Sequence, residues 1–143
     1  MRSSIPLYLL FGAALSLAGL NAQDAPKKTI KPVTARATRT IDAKEMFHEY
    51  CAVCHGDDAK GGGPARDALT KAPADLTQIA RKNGGKFPKV QVMRMIEGVD
   101  TVAAHGNRAM PIWGNIFRSL ENQESATLRV NALMEYLEKL QAN

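Results

Sequence analysis

The chain is poor in side chains that bind metals or form covalent links. Its 143 residues include two cysteines and three histidines, and both cysteines lie in one short stretch. A structural zinc site needs four ligands, and the three histidines add no second pair at the spacing of a zinc motif. The alternating strand and helix pattern that surrounds a thioredoxin-like dithiol is also missing. These absences count against the two alternatives, a zinc site and a redox dithiol.

A long apolar run is also missing. The apolar stretch at residues 5–20 is shorter than the roughly 20 residues that a membrane-spanning helix needs. It follows the positive charge of Arg2 and precedes Ala22, a small residue at which export signals are cut. We therefore predict a signal peptide at residues 1–22, with an uncleaved membrane anchor as the alternative.

Most of the chain has no excess of either charge. Residues 41–143 carry 13 basic and 13 acidic side chains, so the net charge of +5 arises upstream. Residues 23–40 are basic, contain two prolines and show no apolar period, which predicts a disordered linker. Residues 41–143 are then one domain. The basic linker can contact an anionic membrane or an acidic partner, and we expect no nucleic-acid partner.

The two cysteines stand in the order Cys51-Ala52-Val53-Cys54-His55. This C-x-x-C-H pattern is typical of the attachment site of a c-type haem. Each thiol can add across one haem vinyl group, and the next residue then lies beneath the iron. We interpret Cys51 and Cys54 as the covalent attachment points of one haem c, and His55 as its proximal iron ligand.

Capping signals and apolar side chains at helical spacing predict four helices. They begin near Asp42, Asp75, Pro88 and Ser125. Asp42 has Glu45 three residues on, as in a capping box. The predicted buried stripes are Ala43, Met46, Phe47 and Tyr50; Leu76, Ile79 and Ala80; Val92, Met93, Ile96 and Val99; and Val130, Leu133, Met134, Leu137 and Leu140. Arg129, Glu135, Glu138 and Lys139 are placed away from the last stripe, and residues 100–115 are predicted to form a loop.

A haem iron needs a ligand on its second face. Met110 is the one methionine of the domain that falls in a predicted loop, and Pro111 fixes the backbone after it. Met110 is therefore the expected distal ligand, and His105 is the competing one. Trp113 is expected to pack in the core, and its indole N–H can also donate to a haem propionate. A carbonyl of the glycine-rich loop 56–73 can accept from His55 Nδ1–H.

Taken together, these motifs resemble the small monohaem class I c-type cytochromes of bacteria. The resemblance covers residues 41–143 and includes Gly63-Pro64, Met110-Pro111-Ile112-Trp113-Gly114 and the last helix. It implies an all-α cytochrome c fold with three to five helices around one covalently bound haem. It also implies that the Pro64 carbonyl accepts the hydrogen bond from His55, and that the last helix crosses the first near Phe47.

The expected function is one-electron transfer in a respiratory or other periplasmic chain, with His55 and Met110 on an iron that cycles between Fe(III) and Fe(II). We expect redox-partner proteins, no enzymatic turnover, and a monomer or a subunit of a complex. Two alternatives stay open. One is a haem enzyme or gas sensor with a labile sixth ligand, and the other is the cytochrome subunit of a larger oxidoreductase.

Overall fold

The computed structural model describes residues 34–38, 41–99 and 110–142. The predicted signal peptide and His105 lie outside these ranges. Within them there are six α-helices and no strand: α1 (Ala43–Tyr50), α2 (Ala52–His55), α3 (Ile79–Lys82), α4 (Lys89–Glu97), α5 (Trp113–Leu120) and α6 (Gln123–Lys139). Two 3-10 turns, Arg66–Ala68 and Leu76–Gln78, lie between α2 and α3. The all-α prediction is confirmed.

The capping signals operate as the sequence predicts. Asp42 Oδ1 accepts from the N–H of Glu45 at 2.7 Å, which starts α1. Asp75 Oδ1 accepts from the N–H and the hydroxyl of Thr77, which starts the second 3-10 turn. These carboxylates satisfy N–H groups that a helix cannot pair internally.

Helix α6 is the centre of the packing and lies against α1, α4 and α5. Its stripe of Val130, Leu133, Met134 and Leu137 is buried. Phe47 of α1 meets Tyr136 of α6 with ring centroids 5.4 Å apart. The predicted crossing of the first and last helices is therefore present.

Helix α5 lies partly in the segment that the sequence analysis predicts to be a loop. Gly114 and Asn115 are weak helix formers, so the local sequence gives little sign of it. Trp113 and Phe117, one turn apart, are both buried. A Cβ on Gly114 would lie 2.9 Å from the Glu97 carbonyl, so glycine permits the close approach to the end of α4. Tertiary packing stabilises this helix.

Two predictions of burial are wrong. Val99 is 55% exposed because α4 ends at Glu97, and Gly98 turns the chain in a left-handed conformation with φ of 79°. Arg129, predicted to lie away from the buried stripe, is only 1% exposed. Its guanidinium donates to Glu121 Oε1 at 2.6 Å and to Thr38 Oγ1 at 2.7 Å. A buried charge is tolerated when it is paired and hydrogen-bonded in this way.

Residues 34–38 belong to the packed structure, although the sequence places them in a disordered linker. Tyr50 Oη donates to the Arg36 carbonyl at 2.7 Å and accepts from the N–H of Thr38 at 2.9 Å. Thr38 is buried, and Arg129 also donates to its carbonyl. Side chains distant in sequence thus fix this segment, which no local pattern indicates.

Within the described ranges, no helix combines the length and the apolar character that crossing a bilayer requires.

Candidate functional site

The cysteine motif forms one helical turn directly after α1. The Cys51 N–H donates to the Phe47 carbonyl at 2.9 Å, which ends α1. The Cys51 carbonyl then accepts from the N–H groups of Cys54 and His55, at 3.1 and 2.9 Å. Side chains three and four residues apart share one side of a helix. The two thiols and the imidazole are therefore brought to the same side of this turn.

His55 is held by one defined hydrogen bond. Its Nδ1 lies 3.0 Å from the Ala74 carbonyl oxygen. A carbonyl can only accept, so Nδ1 carries the proton and the lone pair is on Nε2. Burial lowers the pKa of His55, and the bond to Ala74 partly opposes this shift. The neutral ring with a free Nε2 is the form that binds a metal, and an acceptor on its N–H raises its basicity.

The hydrogen-bond acceptor of His55 is therefore Ala74, and the expectation that Pro64 has this role is wrong. Gly63 N–H donates to the Cys54 carbonyl at 3.1 Å, and Ala65 N–H donates to the Val53 carbonyl at 2.9 Å. These two bonds hold Pro64 beside the backbone of α2, with its side chain exposed. The carbonyl that reaches the ring comes from the next segment of chain.

The glycines of this region allow contact between backbone segments. A Cβ on Gly63 would lie 2.5 Å from the carbonyl oxygens of Ala52 and Val53. Gly61 has φ of 87°, and a Cβ there would lie 2.4 Å from the Pro73 carbonyl oxygen. Glycine is needed at both positions because no side-chain atom fits. Ala74 has no signature in the sequence, because any residue type can supply a backbone acceptor.

The two thiols are unpaired and half-buried. Burial, together with the nearby Cys54, raises the pKa of Cys51 to about 12, and burial also raises the pKa of Cys54. Redox dithiols have a thiol of lowered pKa. The pKa values of Cys51 and Cys54 are raised instead, which counts against a redox dithiol.

Among the described residues, no three metal-binding side chains of the His, Cys, Asp and Glu types are gathered together. His48, one of the candidates for a zinc site, is on the surface, with Nδ1 2.6 Å from Asp57 Oδ1. That hydrogen bond and the charge of Asp57 raise the pKa of His48. The described part of the chain therefore provides no closed zinc site around Cys51 and Cys54.

Met110 and Trp113 lie at the entry to α5. Trp113 is buried as predicted, and its ring centroid is 5.2 Å from that of Tyr50, the residue before Cys51. Met110 is half-buried and packs against the same core. Three residues of chain reach at most about 11 Å, so Met110 stays close to the part of the core on which the motif rests.

The residues present fit a haem c. The thiols, the imidazole with a free Nε2 and the thioether of Met110 form a donor set that suits haem iron. Several large apolar side chains in the segments after the motif are only half-buried, as expected where an apolar group covers them. These side chains are Leu76, Ile79, Phe87, Met93 and Met110.

The comparisons with known proteins point in the same direction. The family described as "Cytochrome C oxidase, cbb3-type, subunit III" matches residues 38–124. A polyvinylalcohol dehydrogenase of Sphingopyxis sp. (strain 113P3) is 26% identical in a 116-residue alignment that covers 75% of this chain. The chain spans only 17% of that curated relative. No solved structure matches the chain significantly.

Proposed function

The chain belongs to the cytochrome c family described as cytochrome c oxidase, cbb3-type, subunit III, and we propose that it carries single electrons on one haem c ligated by His55 and Met110. Cytochrome c domains transfer electrons on a covalently bound haem, which supplies the Fe(III)/Fe(II) couple. The observation that carries the proposal is the bond from His55 Nδ1–H to Ala74, which leaves Nε2 free for iron.

Each residue of the site has a distinct role in this proposal. Cys51 and Cys54 hold the haem through two thioether bonds. His55 supplies a basic nitrogen whose ring orientation is set by Ala74. Met110 supplies a soft sulfur that favours Fe(II), and a Met/His pair raises the reduction potential. If His55 and Met110 both bind the iron, no position would be left for a substrate, and we expect no substrate turnover by the chain itself.

Two other residues have roles at the edge of the site. Trp113 would donate to a haem propionate through its indole N–H. Pro64 is part of the turn that packs against α2. The carbonyl that accepts from His55 Nδ1–H belongs to Ala74 and not to Pro64.

An optical spectrum of the exported protein tests the distal ligand. The oxidised protein is expected to show the weak far-red charge-transfer band of Fe(III)–sulfur ligation, and Met110→Ala is expected to abolish it. Met95→Ala, at a 38% exposed position of α4, is the matched control and should keep the band. A haem-containing wild type without the band would favour His105, water or an open position. The ligand-binding enzyme or sensor would then be the better interpretation.

A second candidate, the cytochrome subunit of a larger oxidoreductase, is favoured by the similarity to a segment of a dehydrogenase. In that case the electron donor is the partner dehydrogenase, and otherwise the partners are separate redox proteins. Haem staining of periplasmic and membrane fractions after gentle gel filtration distinguishes the two. A periplasmic haem band no larger than the 15.5 kDa chain supports a free carrier, whereas a much larger species supports the subunit.

A further inference from the structure

The segment that carries the Ala74 carbonyl is held from two sides. On one side it contacts the turn after the cysteine motif, where Leu76 N–H donates to the Ala59 carbonyl at 2.8 Å. Gly61 lies so close that an added Cβ would be 2.4 Å from the Pro73 oxygen and 3.4 Å from the Ala74 oxygen. These contacts limit movement of the carbonyl toward the motif.

On the other side, the side chain of Gln141 hydrogen-bonds to the turn 76–80. Its Oε1 accepts from the N–H of Ala80 at 2.9 Å, and its Nε2 donates to the Leu76 carbonyl at 2.9 Å. The Gln141 side chain is thus hydrogen-bonded to both ends of the turn 76–80. Because an N–H can only donate and a carbonyl can only accept, these partners fix the orientation of the amide. Its Nε2 also donates to the Leu137 carbonyl at 2.6 Å, which joins the turn to α6. The next residue adds a bond from Ala142 N–H to the Thr77 carbonyl at 3.0 Å.

We propose that Gln141 is a positioning residue for the iron ligand His55. It fixes the turn 76–80 to the end of α6, and the Ala74 carbonyl two residues before this turn is thereby held in place for His55 Nδ1–H. The inference rests on the proposed function, since it concerns the basicity of an iron ligand. Gln141 acts through the backbone of the turn 76–80, to which it is hydrogen-bonded.

The physical consequence is a change in reduction potential. A well-placed acceptor on Nδ1–H makes the imidazole a stronger donor, and a stronger donor stabilises Fe(III) more than Fe(II). If Gln141 no longer holds the turn, the Ala74 carbonyl is less well placed and the donor is weaker. The potential should then rise, which a purely structural contact far from the iron would not cause.

The test uses the full-length haem-loaded protein with Gln141→Met, which keeps the length of the side chain and removes its hydrogen bonds. We expect an upward shift of the midpoint potential and exchange of the Ala80 amide that is about fivefold faster, the factor for one ordinary hydrogen bond. Gln123→Met is the matched control at the other end of α6, where the amide donates to Thr127 Oγ1 over a long 3.4 Å. The control should change neither measurement.

Gln141→Glu provides the conservative variant. Its carboxylate can still accept from Ala80, but when ionised it repels the Leu76 and Leu137 carbonyls. When protonated, its single O–H can donate to one of these two carbonyls. Its potential should therefore exceed that of the wild type at pH 7, and the difference should shrink as the pH falls toward the ordinary Glu pKa of about 4.3.

Different results overturn the inference and the function. Unchanged potentials in both Gln141 variants, with the charge-transfer band present and Ala80 exchange accelerated, would reduce Gln141 to a structural contact and overturn the inference. A wild-type protein without a reversible haem couple would instead overturn the proposed function, and this inference with it.

Discussion

Two regions of the molecule are held together by different means. The packed face, formed by the buried side chains of α1, α4, α5 and α6, contains large apolar residues such as Phe47, Phe117 and Leu133. The motif loop, residues 51–76, buries only alanine and glycine, at Ala52, Gly56, Ala59, Gly61 and Gly63. Its order comes from backbone hydrogen bonds that cross the loop, such as the 2.7 Å bond from Gly61 N–H to the His55 carbonyl.

Because of this difference, the region that stabilises the fold is separate from the region that holds His55. Burial of a large apolar side chain contributes roughly 1.5–3 kcal/mol, so the packed face supplies most of the hydrophobic free energy of folding. Alanine and glycine bury little apolar area, and a backbone hydrogen bond contributes only about 1 kcal/mol net. The motif loop therefore contributes little stability of its own, but its backbone packs closely around His55. Changes in the two regions should have different effects.

The largest effect is expected from Gly63→Ala in the motif loop. Its Cβ would lie 2.5 Å from two carbonyl oxygens of α2 and 2.6 Å from the carbonyl carbon of Cys54. Overpacking of side chains costs roughly 1–3 kcal/mol, and this contact should cost more because backbone atoms cannot rotate away. We expect near-complete loss of haem-loaded protein, measured as haem absorbance per polypeptide.

Gly62→Ala is the control for that variant, since a Cβ at Gly62 meets nothing within 4 Å. It should give a normal haem yield. Equal haem yields in the two variants would mean that the loop has the freedom of an ordinary surface loop, and the contrast between the two regions would be wrong.

A smaller and different effect is expected from Leu133→Ala in the packed face. Truncation of this buried side chain should lower the free energy of unfolding by about 2–5 kcal/mol. The optical spectrum should be unchanged, because none of the proposed haem-binding residues lies on α6. Leu128→Ala, 50% exposed on the same helix, should change stability little. Loss of the charge-transfer band in Leu133→Ala would show that the two regions are not separable.

The smallest effect is expected at Glu121, at the edge of the packed face. The hydrogen bond from Arg129 holds the pKa of Glu121 below its usual range. A carboxyl whose folded pKa is depressed adds stability above its unfolded pKa of about 4.3, and this stability is lost as the pH falls through the folded value. Glu121→Gln should therefore lose less stability than the wild type on acidification below about pH 4.3. Thermal unfolding between neutral and acid pH measures this, with exposed Glu124→Gln as the control. Parallel curves for wild type and Glu121→Gln would show that the ion pair contributes nothing.

The sequence predicts those features of the fold that depend on local pattern. Helix caps at Asp42 and Asp75 and the stripe of α6 follow from side chains a few residues apart. Helix α5, the docking of residues 34–38 and the burial of Arg129 depend on partners far along the chain. Thr38 and Arg129, which share two hydrogen bonds, are 91 residues apart, and no periodicity connects them.

For the site, the order of residues specifies the chemical groups. The spacing of Cys51, Cys54 and His55 places two thiols and an imidazole on one helical turn, because that spacing matches the period of a helix. The tertiary structure alone decided that Ala74, and not Pro64, orients His55. It also decided that Gln141 holds the segment to which Ala74 belongs. Every residue has a carbonyl group, so only the path of the folded chain determines which carbonyl reaches the ring.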